Sequence, residues 1–123
     1  RVIHVFGSTG GGRDVSRRFS VGRLVGTKAD ICVVTNDDPY DDDPEKIIAD
    51  IVSAALDVGK RIDETCFAIT DRANAIQKAV TLAKEGDVVL ITGKGSEQAM
   101  VFENGRMEPW DDREEVRKAI AMR

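Results

Sequence analysis

The sequence predicts an α/β protein: a doubly wound, mostly parallel sheet with helices on both faces and a β-hairpin near the C-terminal end. Three observations carry this. Short apolar runs alternate with longer runs of helical periodicity, the pattern of repeated strand–helix units. The apolar runs are nearly continuous, as in parallel strands covered on both faces. After the fourth unit the pattern breaks at Asn104-Gly105, a strong type I′ turn signal between two short extended arms.

The first strand is Val2 to Phe6, followed by a glycine-rich loop and a helix from about Asp14 to about Gly26. The second is Ile31 to Val34. After an acidic loop a helix runs from Pro44 to Val58, with Ile47, Ile48, Ile51, Ala54, Ala55 and Val58 at helical spacing. Pro44 suits its first turn and Gly59 its stop. The third strand, Thr65 to Ile69, is short. Asp71 then caps a helix carrying Ala75, Ile76, Ala79, Val80 and Ala83 on one face. The fourth strand, Val88 to Thr92, reads as buried on both faces. The hairpin arms are Ala99 to Glu103 and Arg106 to Pro109. Asp111 or Asp112 caps a final helix reaching Met122.

Right-handed crossovers in the usual Rossmann-like order put strand one beside strand four, with strand two on its other side. The loops after strands one, two and four then open on one edge of the sheet. They are also the least ordinary segments of the chain. A single site built from Gly7 to Asp14, Asn36 to Tyr40 and Gly93 to Glu97 is therefore expected.

A length of 123 residues suits one domain, spanning residues 1–123. Hydrophobic content of 41% and charged content of 33% read as an ordinary globular protein. A net charge of -4 with no basic stripe argues against nucleic acid as a main partner. Arg13, Arg17, Arg18, Arg23 and Lys28 form the only basic cluster, compatible with a solvated helix face. Cys32 and Cys66 lie in predicted strands without CxxC spacing, which points to reduced core thiols and a cytoplasmic setting. His4 is the single histidine, too few ligands for a zinc site. No apolar run is long enough to span a membrane. The start at Arg1 suggests a piece of a longer protein.

Each of the three loops admits more than one reading. Gly7-Ser8-Thr9-Gly10-Gly11-Gly12-Arg13-Asp14 is either a tight turn or a place where backbone amides and the Arg13 guanidinium meet a carboxylate or phosphate. Its spacing is not the dinucleotide fingerprint. Gly93-Lys94-Gly95-Ser96 lacks the spacing of a Walker A loop, so no ATP phosphate cradle of that type is present. In Thr35-Asn36-Asp37-Asp38-Pro39-Tyr40-Asp41-Asp42-Asp43-Pro44, six of ten residues are acidic or amide. That loop is a solvated helix entry, a metal site or an ammonium pocket. Calcium-loop spacing is absent. For the ammonium pocket, Asp37, Asp38 and Glu97 would offer carboxylates and Tyr40 a hydroxyl or aromatic face.

Taken together the loops resemble the C-terminal domain of the Mur ligases, of the UDP-N-acetylmuramoyl-tripeptide synthetase (MurE) type. The resemblance runs from Val5-Phe6-Gly7 with Gly11-Gly12-Arg13-Asp14, through Val33-Val34-Thr35 with Asp37-Asp38-Pro39, to Asp87-Val88-Val89-Leu90 with Gly93-Lys94-Gly95-Ser96-Glu97, and closes on Asp112-Arg113. It implies a cytoplasmic step of peptidoglycan synthesis. There ATP activates the side-chain carboxyl of D-glutamate in UDP-MurNAc-L-Ala-D-Glu, and a diamino acid attacks. It implies N-terminal and central domains outside this chain, the central one holding most of the ATP and Mg2+ contacts. It implies substrate-binding roles for Arg13, Asp37, Asp38, Tyr40, Gly93 and Glu97, with no catalytic residue or metal ligand in this piece.

The departures matter. Asp38 replaces the family's Asn, and Tyr40 replaces the Arg that reads the second carboxylate of meso-diaminopimelate. Ser96 stands where the family often has His. Loss of a guanidinium and gain of a carboxylate favour an amine over an anion. L-Lysine, or a similar diamino acid with one carboxylate, is thus the expected substrate. The rivals are a receiver-type signalling module, a folylpolyglutamate-type ligase domain and a nucleotide-binding Rossmann domain, the last disfavoured by loop spacing. Against the first, the acid pair follows strand two and no Asp ends strand three at Ile69. Against the second, Asp37-Asp38-Pro39 with Gly93-Lys94-Gly95 fits the tripeptide synthetases better.

Overall fold

A computed structural model describes residues 1–94 and 97–123. Strands β1 (Val2–Phe6), β2 (Ile31–Val34), β3 (Cys66–Ala68) and β4 (Val88–Ile91) form one parallel sheet in the order β3-β2-β1-β4. Strands β5 (Ala99–Val101) and β6 (Met107–Pro109) form an antiparallel hairpin. Asn104 and Gly105 both have positive φ and the Arg106 amide donates to Glu103 O, as a type I′ turn requires. The strand order is the one expected, so the loops after β1, β2 and β4 share one rim.

Alternation along the strands divides the core in two. Ile3, Val5, Ile31 and Val33 face α3 (Arg72–Leu82) and α4 (Asp112–Ala121), where Ala75, Ile76, Ala79 and Ala119 complete one cluster. Phe6, Cys32 and Val34 face α1 (Ser16–Lys28) and α2 (Pro44–Asp57), meeting Val25, Ile47, Ile48 and Ile51. Caps follow residue chemistry: Asp43, Asp71 and Asp111 each accept a backbone N–H from the first turn of α2, α3 and α4. Helix α1 starts two residues later than expected, because Asp14 turns back to accept from the Ser16 amide. Cys32 and Cys66 are register partners across β2 and β3, both free and buried as expected.

Two expectations fail. Strand β4 is not covered on both faces. It is an edge strand, with Val89 and Ile91 packed on the α3/α4 cluster while Val88 is 57% and Leu90 43% exposed. The chain leaves β4 for the hairpin, and α4 packs beside α3, so no helix covers the other face there. Nor is the basic cluster wholly a solvated face. Arg18 is buried, donating to Asp50 at 3.0 Å and reaching Asp42 at 3.5 Å.

Helices α1 and α2 approach closely at Gly22, where an added Cβ would sit 2.5 Å from Ile51 O and 2.8 Å from the Ala54 methyl. Gly22→Ala gains helix propensity of about 1 kcal/mol, but overpacking against backbone costs about 1–3 kcal/mol. A lower Tm and a lower urea midpoint are expected, with far-UV circular dichroism unchanged.

Candidate functional site

Construction of the rim starts from the loop after β2. Asp38 and Tyr40 both hold positive φ, at 42° and 55°, with the buried Pro39 between them. A left-handed conformation is tolerated by Asp but uncommon for a bulky residue. Three contacts hold it. Gly10 N donates to Asp38 O at 3.0 Å, Tyr40 N donates to Val101 O at 3.2 Å, and Val101 N donates to Asp38 Oδ1 at 2.9 Å. The glycines of the first loop are needed for this fit. A Cβ on Gly10 would run into Pro39 O, and one on Gly11 into the Tyr40 ring. Asp42 fastens the same two loops, accepting from Gly11 N at 3.1 Å.

The loop after β4 joins them through Lys94. This residue is 2% exposed, and its ammonium donates to Asp38 Oδ1 at 2.8 Å, to Asp38 Oδ2 at 2.9 Å and to Ala99 O. Glu97 completes the set at 2.9 Å. Burial acts to depress the Lys94 pKa, but the hydrogen bonds to Asp38 and Glu97 outweigh it and hold the pKa above the ordinary lysine value. Beneath the rim lies Arg72, also buried. It forks onto Asp112 at 2.9 and 3.0 Å and donates to Asn36 O and Thr92 O, the carboxyl ends of β2 and β4. Trp110 Nε1 donates to the same Asp112 at 2.6 Å.

The cleft itself opens between the first loop and α1. It has a volume of about 380 Å3 and is lined by Gly7, Ser8, Thr9, Arg13, Arg17 and Asp37 among others. Two guanidiniums thus share a cleft with one carboxylate. Asp37 is buried, and desolvation pushes its pKa up. Arg72 and Lys94 oppose that rise, while Asp38 and Glu97 add to it. Gly93, at φ 105°, packs on Asp37, and a Cβ there would collide with Oδ2.

Of the residues singled out from the sequence, Arg13 and Asp37 line one cleft, and Gly93 lies against Asp37. Glu97 is 61% exposed on its side chain and is held by Lys94. Tyr40 stacks over Gly11 at the rim. Asp38 departs from expectation. Both its oxygens are engaged by Lys94 and one also by Val101 N, so it serves as a structural anchor instead of a free partner for an amine. Gly95 and Ser96 lie outside the described residues. Lys94, Arg72 and Arg17 were missed as site residues. Lys94 stood between two glycines opposite an unusual acid pair, which was the available signal. Arg72 gave none, since an Arg after a helix cap reads as surface. Among the described residues no group of His, Cys, Asp or Glu could hold a metal ion. The Lys94 ammonium is engaged by Asp38, Ala99 O and Glu97.

Fold and rim together define a doubly wound α/β domain with a charged cleft at the carboxyl edge of its sheet. Residues 1–95 match the family described as "Mur ligase, glutamate ligase domain". The chain belongs to that family. It is 45% identical over 98% of its length to a UDP-N-acetylmuramyl-tripeptide synthetase of Roseiflexus sp.. It is 42% identical over its whole length to a UDP-N-acetylmuramoyl-L-alanyl-D-glutamate--2,6-diaminopimelate ligase of Synechocystis sp.. A solved diaminopimelate ligase structure superposes with a TM-score of 0.83 at 33% identity, over 99% of this chain and 24% of that one. The chain spans 23% of the length of the first two relatives. Membership in this family sets aside the receiver-type reading.

Two outcomes follow from the buried groups. Arg72→Met would take the cation from the Asp112 carboxylate, leaving it only Trp110 Nε1, and the Arg72 donor from two backbone carbonyls. It is expected to cost about 3–5 kcal/mol in urea unfolding. Asp37 binds its proton more readily folded than unfolded. Its ionisation therefore lowers stability as pH rises from 3.8 through its raised folded pKa, and the loss persists above it. Asp37→Asn should raise Tm at pH 7 and flatten that part of the pH profile.

Proposed function

We propose that this chain is the amino-acid-binding domain of an ATP-dependent ligase adding a diamino acid to UDP-MurNAc-L-Ala-D-Glu. In this reading residues 1–123 are one domain of a longer cytoplasmic enzyme. The substrate domain and the central ATPase domain, with ATP and Mg2+, lie elsewhere in that enzyme. The observation that carries the reading is a single cleft lined by Arg13 and by the buried Asp37. A zwitterion needs that pairing of opposite charges, and both groups come from segments the family match covers.

In the proposed pose Arg13 holds the α-carboxylate with its planar fork. Asp37 and Glu97 neutralise the distal ammonium, and Tyr40 closes the rim. Gly93 allows backbone to pass close to Asp37. The charge pattern also selects the reacting nitrogen. An ammonium held by carboxylates has its pKa raised and stays protonated, hence non-nucleophilic. The α-amine is left as the group that attacks, and positioning supplies much of the rate. ATP supplies activation of the acceptor carboxyl when bound to the whole enzyme.

L-Lysine, or a similar diamino acid with one carboxylate, is the favoured substrate, because Tyr40 replaces a guanidinium in the loop after β2. One observation favours the alternative. Arg17 also lines the cleft and could take a second carboxylate, as meso-diaminopimelate carries. Competition between lysine, ornithine and meso-diaminopimelate on the full-length enzyme decides. Lysine or ornithine should be incorporated at least about tenfold more efficiently, the discrimination expected for one charge-assisted contact; preference for meso-diaminopimelate would refute this choice. Arg13→Ala should raise the amino acid KM about tenfold or more on the same basis, with the KM for the UDP-dipeptide unchanged. The 123-residue chain alone should release no phosphate from ATP above a heat-treated control.

A further inference from the structure

Lys94 sits where the loops after β1, β2 and β4 meet, yet it is not among the residues that line the cleft with Arg13 and Asp37. Its ammonium has three N–H donors. One set of bonds goes to both oxygens of Asp38, another to Ala99 O and another to Glu97. Asp38 in turn holds the hairpin through Val101 N, and its own carbonyl holds Gly10 of the first loop. The Lys94 side chain is 1% exposed and that of Glu97 is 61% exposed. One end of this ion pair is therefore fixed in the domain, and the other projects from it.

We infer that Lys94 is a positioning residue for amino-acid capture: its buried ammonium sets where the Glu97 carboxylate stands relative to Asp37 and the acidic loop. This rests on the proposed amino-acid site. The physical reason is charge spacing. Asp37, Asp38 and Glu97 act on one another as like charges, since Asp38 and Glu97 both push the Asp37 pKa up. Without a cation among them, the exposed member moves away into water and the carboxylate pair that meets an ammonium is lost. Lys94 thus acts through Glu97 and does not contact the substrate.

A double-mutant cycle on the full-length enzyme tests this, using Lys94→Met, Glu97→Gln and both together. Each single variant should raise the KM for the amino acid about tenfold, the scale of one charge-assisted hydrogen bond. The KM values for ATP and the UDP-dipeptide should stay within about twofold. The double variant should be no worse than the worse single, because one residue acts through the other. Effects that multiply, or an unchanged amino acid KM, would overturn the inference. If Lys94→Met alone does not fold, Lys94→Met/Asp38→Asn removes both charges and carries the same expectation. Amide exchange separates failure of this inference from failure of the proposed substrate. If the wild-type enzyme ligates no diamino acid, the substrate reading falls. Positioning then still requires faster exchange at Tyr40 and Val101 in the Lys94 variant, with the β1 and β2 amides unchanged. Unaltered exchange there would refute it.

Discussion

The rim of this domain depends on one ion pair, the buried Lys94 with the half-buried Asp38. The Lys94 ammonium is buried and the Asp38 carboxylate partly so, and several kcal/mol oppose burying an ion without a partner. Together they satisfy each other, and the backbone of β5 and Glu97 supply the other partners. The pair also fixes backbone that would otherwise relax. Tyr40 at φ 55° is a costly conformation for a large side chain, and it persists because Asp38 and Val101 clamp the residues around it. Three loops distant in sequence are thereby locked to one hairpin, which packs over them without joining the main sheet.

Beneath that pair, Arg72 performs the same task one layer deeper. It draws together the carboxyl ends of β2 and β4 and the start of α4. The parallel sheet brings its strand ends to one edge, and the two buried cations convert that edge into a defined surface. The division of labour is clear in the exposure of each residue. Lys94, Arg72 and Arg18 are buried and hold structure, whereas Arg13, Arg17 and Glu97 reach outward. Charge near the site is thus of two kinds, and among the cations only the outward kind lines the cleft, beside the buried Asp37.

Much of the fold was legible in the residues. Apolar runs and period-3.6 patterns located the strands of the parallel sheet and the four α-helices among the described residues, Asn104-Gly105 located the hairpin, and Asp43, Asp71 and Asp111 cap as capping chemistry requires. Strand order followed from crossover handedness together with the usual doubly wound arrangement. Exposure of β4 was not legible. Val88 to Ile91 is as apolar as a central strand, and only the path of the chain after it decides which face is covered. The site was legible in outline, because loops after β1, β2 and β4 must converge. Its wiring was not. Asp37 and Asp38 are adjacent and chemically identical, yet one lines the cleft and the other is consumed by Lys94. The backbone takes positive φ at Asp38, and no periodicity reports that. Arg18 looked like its neighbours Arg13 and Arg17 for the same reason, since its buried partner Asp50 lies on another helix.

The two thiols in β2 and β3 have a practical consequence. Burial holds Cys66 above its ordinary range and Cys32 up at about 12. At neutral pH the reactive thiolate of Cys32 is then populated on the order of one part in 100,000. Both sulfurs lie under the α1 and α2 layer, so alkylating reagents reach them when that layer lifts from the sheet. The domain therefore carries its own clock for the opening of its core, readable by mass spectrometry without adding any label to the sequence.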